Sequence, residues 1–170
     1  MSLFVQASDF SVGELKLARG QFSEPDLQNT IDRLEPSILK DLLGCDLYDL
    51  FTTDWDPVTK TFSTARFTDL YNAFCEDDNC GQVRSKGMKE MLKYFVWYEY
   101  ISEQAFQNRV TGERKQDAEN STRAKFDEFA PFTKYNEAID TYWAIQWFMC
   151  ENSSTYPEEN SLKKEKVSWL

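Results

Sequence analysis

The chain has 170 residues, enough for one domain with a real core and too few for two. Asp and Glu outnumber Lys and Arg by 29 to 19, a formal charge of -10, and such a surface repels polyphosphate and anionic lipid, which disfavours a nucleic-acid-binding module. There is no histidine, so the commonest general base and the commonest metal ligand are both missing, while an aromatic content of 15% argues against disorder.

Residues 1–22 lack a clear period and are expected to form an arm, with Phe4, Val5 and Phe10 available for docking. No basic segment is followed by an apolar run there, so no signal peptide is expected. A helix start is signalled at Ser23, with Pro25 in the first turn and Glu24 and Asp26 at the positive end of the dipole. Its stripe runs through Leu27, Ile31, Leu34, Ile38 and Leu42 to a stop at Gly44, and Pro36 is expected to kink or split it. Leu47, Leu50 and Phe51 give a brief second helix. Asp54, Trp55 and Asp56 then resemble the opening of a calcium loop, but the central glycine and closing glutamate do not follow. The Asp-Pro chemistry predicts a turn or small hairpin with Trp55 and Phe62 packed on the body.

From Thr64 another amphipathic helix carries Phe67, Leu70, Tyr71 and Phe74, and the acidic cluster Glu76, Asp77, Asp78 predicts a loop after it. The four cysteines are scattered; reduced thiols and a Cys75–Cys80 disulfide both stay open, and a zinc site is not expected. The stretch from Ser85 to Gln107 is apolar on most of its helical circumference, which marks a central helix. Lysine and glutamate interrupt it too often for a membrane span. Residues 107–122 are charged and read as a long loop, after which the period resumes through Phe126 and Phe129, then Phe132 to Cys150. The pattern breaks after residue 151, and 152–170 form a lysine-rich tail ending in Val167, Trp169 and Leu170.

These elements predict a single all-α domain: four to five helices, with a long central helix and a long C-terminal helix, flexible arms, and room for a short hairpin. No phosphate-binding loop, dinucleotide fingerprint, nucleophile elbow or zinc-protease motif is present, so no enzyme activity and no cofactor or metal is expected. Glu99 and Glu103, one turn apart, are the only carboxylate pair whose burial would matter, and a solvated or interface-facing edge accounts for them equally well.

The order of landmarks resembles the head-to-tail connector (head-completion, or adaptor) proteins of tailed bacteriophages, of the Bacteroidetes-phage type. The resemblance is carried by ILKDLLGCDLYDLF (38–51), RFTDLYNAF (66–74), KGMKEMLKYFVWYEYIS (86–102), TGERKQDAENS (111–121) and the aromatic last helix closing in TYP (155–157). It implies a structural virion protein made in the host cytoplasm and placed at the neck. Such a protein forms a homo-oligomeric ring of about twelve copies that binds the portal above and a stopper or tail protein below. DNA would pass through without specific binding, and no membrane is involved.

Head-to-tail ring contacts need two different matching faces. Leu92, Val96, Trp97 and Tyr100 are left over after the main core face is assigned and are the expected patch; Val110 and Thr111 in the loop and Trp169 and Leu170 in the tail are expected to join the subunit or partner contacts. The alternative function is an acidic helical interaction module, an inhibitor or regulatory binding protein. Carboxylates along one face would mark a DNA mimic, whereas here acids and bases are interspersed.

Overall fold

In the computed structural model, which describes residues 2–17, 23–78, 81–109, 112–115 and 130–167, helix α1 (Glu24–Leu43) begins where the sequence places it. The Asp26 amide donates to Ser23 Oγ at 3.4 Å, and Pro25 sits in the first turn, where its missing N–H costs nothing. Pro36 does not split the helix. The stripe on either side of it, including Ile31, Ile38 and Leu39, is buried, and that packing holds one continuous helix against a break.

Gly44 stops α1 at a φ of 76°, and α2 (Cys45–Asp54) follows at once. A Cβ on Gly44 would lie 3.1 Å from the carbonyl oxygen of Asn160, so both the backbone angle and the space demand glycine. Gly44→Ala is therefore expected to cost about 1–3 kcal/mol in urea unfolding. Deleting residues 160–170 in the same variant should recover only the steric part.

Residues β1 (Trp55–Asp56) and β2 (Thr61–Phe62) form the small hairpin expected from the Asp-Pro turn, with Trp55 opposite Phe62. Asp56 Oδ1 accepts the Val58 amide at 2.8 Å, and Asp54 accepts both the amide and the hydroxyl of Thr64. The two carboxylates thus serve turn geometry.

The all-α expectation needs correction. Helix α3 (Ala65–Tyr71) is followed by β3 (Phe74–Asp78) and β4 (Gly81–Ser85), paired from Phe74 opposite Ser85 to Asp78 opposite Gly81. Acids that oppose a helix carboxyl end do not force a loop, because pairing with β4 satisfies the same backbone groups locally. A third hairpin, β5 (Phe106–Arg109) with β6 (Gly112–Lys115), follows α4 (Met88–Ala105) and occupies part of the expected loop. The described chain is a mixed helical and β structure of five α-helices and three two-stranded antiparallel sheets. Cys45, Cys75 and Cys150 are free and exposed, while Cys80, Phe126 and Phe129 lie outside the described residues.

Helices α4 and α5 (Ala130–Glu151) pack as the hub, with α1 also against α4 and β4 against α5. Pro131 lies in the first turn of α5 and does not interrupt it. The arm is not free for docking elsewhere. Its 3-10 turn, Ala7–Phe10, rests on α1, and Phe4, Val5, Phe10, Leu15 and Leu17 are all buried in the chain's own core.

Glu35 anchors this arm. Its side chain is enclosed within the α1 stripe, and its carboxylate accepts the amides of Leu3, Phe4 and Val5, the last at 2.9 Å. One turn earlier Asp32 accepts the Ser2 amide at 2.8 Å, and Gln28 accepts that of Ala7 at 3.0 Å. Phe4 then enters a box of rings, 4.8 Å from Trp55, 5.3 Å from Tyr71 and 5.6 Å from Phe51.

Candidate interaction surface

Tyr156 is buried, and its hydroxyl donates to the carbonyl of Arg66 at 2.7 Å, while the Arg66 guanidinium donates to the Thr155 carbonyl. Burial, with Asp69 nearby, pushes the Tyr156 phenol up to about 12, so it stays a donor throughout the neutral range. This rivet fixes the point where the chain leaves α5. Beyond it, Ser161–Val167 runs back along α5 as an extended strap.

Helix α5 holds the strap chiefly by its backbone. Tyr142 Oη donates to the Leu162 carbonyl at 2.7 Å, Trp143 Nε1 to that of Lys164 at 2.8 Å, and Gln146 Nε2 to that of Leu162 at 2.9 Å. Asn136 grips Val167 twice, donating to its carbonyl at 3.1 Å and accepting its amide at 3.0 Å. From α1, the Asp41 carbonyl accepts the Leu162 amide at 2.6 Å. Two lysines then pair with the rim, Lys164 with Asp41 at 2.8 Å and Lys166 with Asp140 at 2.5 Å. Burial, with Asp41 and Glu159 nearby, raises the Tyr142 phenol well above its usual value, which keeps it a donor to the strap.

The two ends of the chain are held very differently. Each large apolar side chain of the arm contributes about 1.5–3 kcal/mol by its burial. None of Ser161–Val167 is buried, and Leu162 is 61% exposed. The strap is held by hydrogen bonds, each worth about 0.5–1.5 kcal/mol net, by part-exposed ion pairs worth less, and by Lys164 and Lys166 lying over the rings of Tyr142 and Trp143.

Along the hub, an aromatic cluster stays partly exposed: Tyr98 meets Phe132 edge to face at 5.7 Å and lies tilted 4.8 Å from Tyr135, with Trp97 beside it half-covered. The indole N–H of Trp97 is enclosed with no hydrogen-bond partner. Of the residues singled out by sequence, Leu92, Val96 and Tyr100 are not on this surface. Leu92 and Val96 are fully buried, and Tyr100 is closed off by the start of α1, its hydroxyl accepting the Ser23 amide at 3.3 Å. Only Trp97 retains exposure. Val110, Thr111, Trp169 and Leu170 lie outside the described residues.

Glu103 forms an ion pair with Arg33 at 2.5 Å and is 45% exposed, so the burial that would have made the Glu99–Glu103 pair chemically interesting is not there. A groove of about 360 Å³ between the β3–β4 hairpin and α5 holds Lys86 against Glu137 at 2.6 Å. Lys134 reaches the same carboxylate at 3.2 Å, and both lysines lie over the Tyr94 ring. Burial opposes the Glu137 charge, yet the two lysines hold it below the usual carboxylate range, so these cations are committed to one another's partner. Among the described residues no cluster of ligating side chains could hold a metal, and no helix is long and apolar enough to cross a membrane.

Sequence reasoning missed Glu35 and the strap groove. Glu35 did carry a signal, lying four residues after Ile31 and four before Leu39 on the apolar stripe. The strap carried little, since most of its hydrogen bonds use backbone atoms and only Lys164 and Lys166 add paired side chains.

No curated protein and no solved structure matches the chain. One family model does, over residues 39–166, a span that takes in α2 to α5, the groove and nearly all of the strap. On that match the chain belongs to DUF6712, a family of unknown function.

Proposed function

We propose that the protein is a head-to-tail adaptor of a tailed phage, a ring-forming subunit at the virion neck that joins the portal to a stopper or tail protein and lines the DNA conduit. The observation that carries this reading is the aromatic surface left on the α4–α5 hub, where Trp97, Tyr98, Phe132 and Tyr135 stay partly exposed and Trp143 is 41% exposed. Aromatic residues are enriched at subunit interfaces, and a patch spread over two long helices suits a lateral contact. The acidic balance supports it as well, since walls that repel phosphate let DNA slide. The resemblance in landmark order supplies the specific class.

Negative-stain imaging of the purified protein, alone and with the phage portal, tests it. A ring, or a collar of about a dozen copies added to the portal, is the expected result. A bare portal beside a protein that stays monomeric would sink the adaptor reading and favour an acidic interaction module.

A further inference from the structure

We propose that Tyr98 and Tyr135 form a site of oxidative coupling, at which a one-electron oxidant joins the two rings by a carbon–carbon bond and so ties α4 to α5 covalently. The site lies within a single chain and does not depend on the adaptor reading.

Proximity is the first ground. The two ring centroids lie 4.8 Å apart with the planes tilted by 50°, a separation at which ring edges meet. All eight tyrosines fall among the described residues, and this is the only contact there between two tyrosine rings; Tyr71, Tyr142 and Tyr156 meet only phenylalanine or tryptophan. Both side chains are part-exposed, so a small oxidant reaches them. Phe95, itself buried, meets Tyr135 edge to face at 5.4 Å and Phe132 does the same to Tyr98, which holds the pair in register across the hub.

The second ground is a proton acceptor. Burial, the neighbouring phenol and the charge of Glu99 hold the Tyr98 phenol above its usual value against the Ser102 hydrogen bond, and burial with Glu99 does the same for Tyr135. Both phenols are therefore neutral in the neutral range, and each must shed a proton with its electron. Glu99 is the carboxylate whose charge reaches both. Glu103, one turn on, is taken by Arg33, whereas Glu99 forms no ion pair among the described residues.

In the coupling each phenol gives one electron to the oxidant and one proton to Glu99 or water. The two phenoxyl radicals pair at ring carbons beside their oxygens, and the hydrogens on those carbons move to the oxygens, which restores both phenols. The chain loses two electrons and two protons in all, and two equivalents of a one-electron oxidant take up the electrons. The new bond closes the chain between Tyr98 and Tyr135 into a loop, which stabilises the fold through its unfolded state.

Light-driven oxidation of the dilute full chain by tris(bipyridyl)ruthenium(III), with persulfate as terminal acceptor, tests this. Dityrosine fluorescence should rise while the chain keeps its single-chain mass less two hydrogens, and digestion should yield peptides joined through Tyr98 and Tyr135. Tyr98→Phe and Tyr135→Phe, which keep the ring packing, should each abolish that product, and Tyr48→Phe should leave it unchanged. Glu99→Gln should slow its formation severalfold; an unchanged rate overturns the part given to that carboxylate. In unfolding urea the link should scatter over many tyrosine pairs. No dityrosine, links that join only different chains, or an equal yield of the Tyr98–Tyr135 product from unfolded chain overturns the proposal.

Discussion

Glu35→Ala is expected to lower the unfolding free energy by about 3–5 kcal/mol, because it strands the Leu3, Phe4 and Val5 amides at about 1–3 kcal/mol each, offset in part by sparing a buried charge. Urea unfolding followed by far-UV circular dichroism measures it. Amide exchange at residues 3–5 should rise well above that of α4, since the arm loses its clasp before the hub loses its packing. A loss under about 1 kcal/mol would mean that the arm is held by Phe4 and its neighbours alone.

The same residue sets a pH dependence. Burial raises the Glu35 carboxyl above its ordinary 4.5, with the negative charge of Asp32 adding to it and the three amides opposing it. A native acid with a raised value binds its proton more tightly than the unfolded chain does. Its contribution is therefore fully present below pH 4.5 and is lost as pH rises through the native value. Relative to Glu35→Gln, which does not titrate, the wild-type chain should lose stability over that window and then level off. Parallel curves for the two proteins would contradict it.

Phe51→Ala is the second large effect, at about 3–5 kcal/mol. Phe51 is fully buried and touches three separate pieces of chain: Phe4 of the arm at 5.6 Å, Phe62 of the first hairpin at 4.5 Å and Phe67 of α3 at 5.4 Å, edge to face. A cavity there cannot close by moving one element, so little of the loss is recovered. Denaturant titration gives the magnitude. Near-ultraviolet circular dichroism gives the location, because Trp55 lies 4.9 Å from Phe62 and should lose its fixed environment. Phe51→Leu, which keeps most of the volume, should restore both signals in large part.

Helix ends were legible where one residue type has one physical job. Ser23 caps, Pro25 fits a first turn and Gly44 takes a positive φ, and the α1 boundaries follow from those three. The β3–β4 hairpin was hidden because two of its inward positions hold Glu76 and Ser85, leaving only Phe74 and Val83 as large apolar residues, so burial alternates there without an alternating apolar pattern to read. In α4 the periodicity correctly marked a helix apolar on most sides, but it could not say what covers each side. Leu92, Val96, Trp97 and Tyr100 looked like a surplus; the start of α1 and the core enclose three of them, and of that patch Trp97 alone stays uncovered, with Tyr98 beside it. Which face is left bare depends on partners far away in the chain, and a helical wheel holds no such information.

Asn136 clasps the peptide at Val167 by both halves of its amide, and most of the other α5 hydrogen bonds fall on carbonyls, Gln146 reaching the Ser161 hydroxyl as well. What is held there is a length of chain rather than a spelling, apart from the two paired lysines. The exposed positions Lys163 and Glu165 can consequently carry a dye or an epitope without unseating the segment, which offers a visible handle on its release from α5.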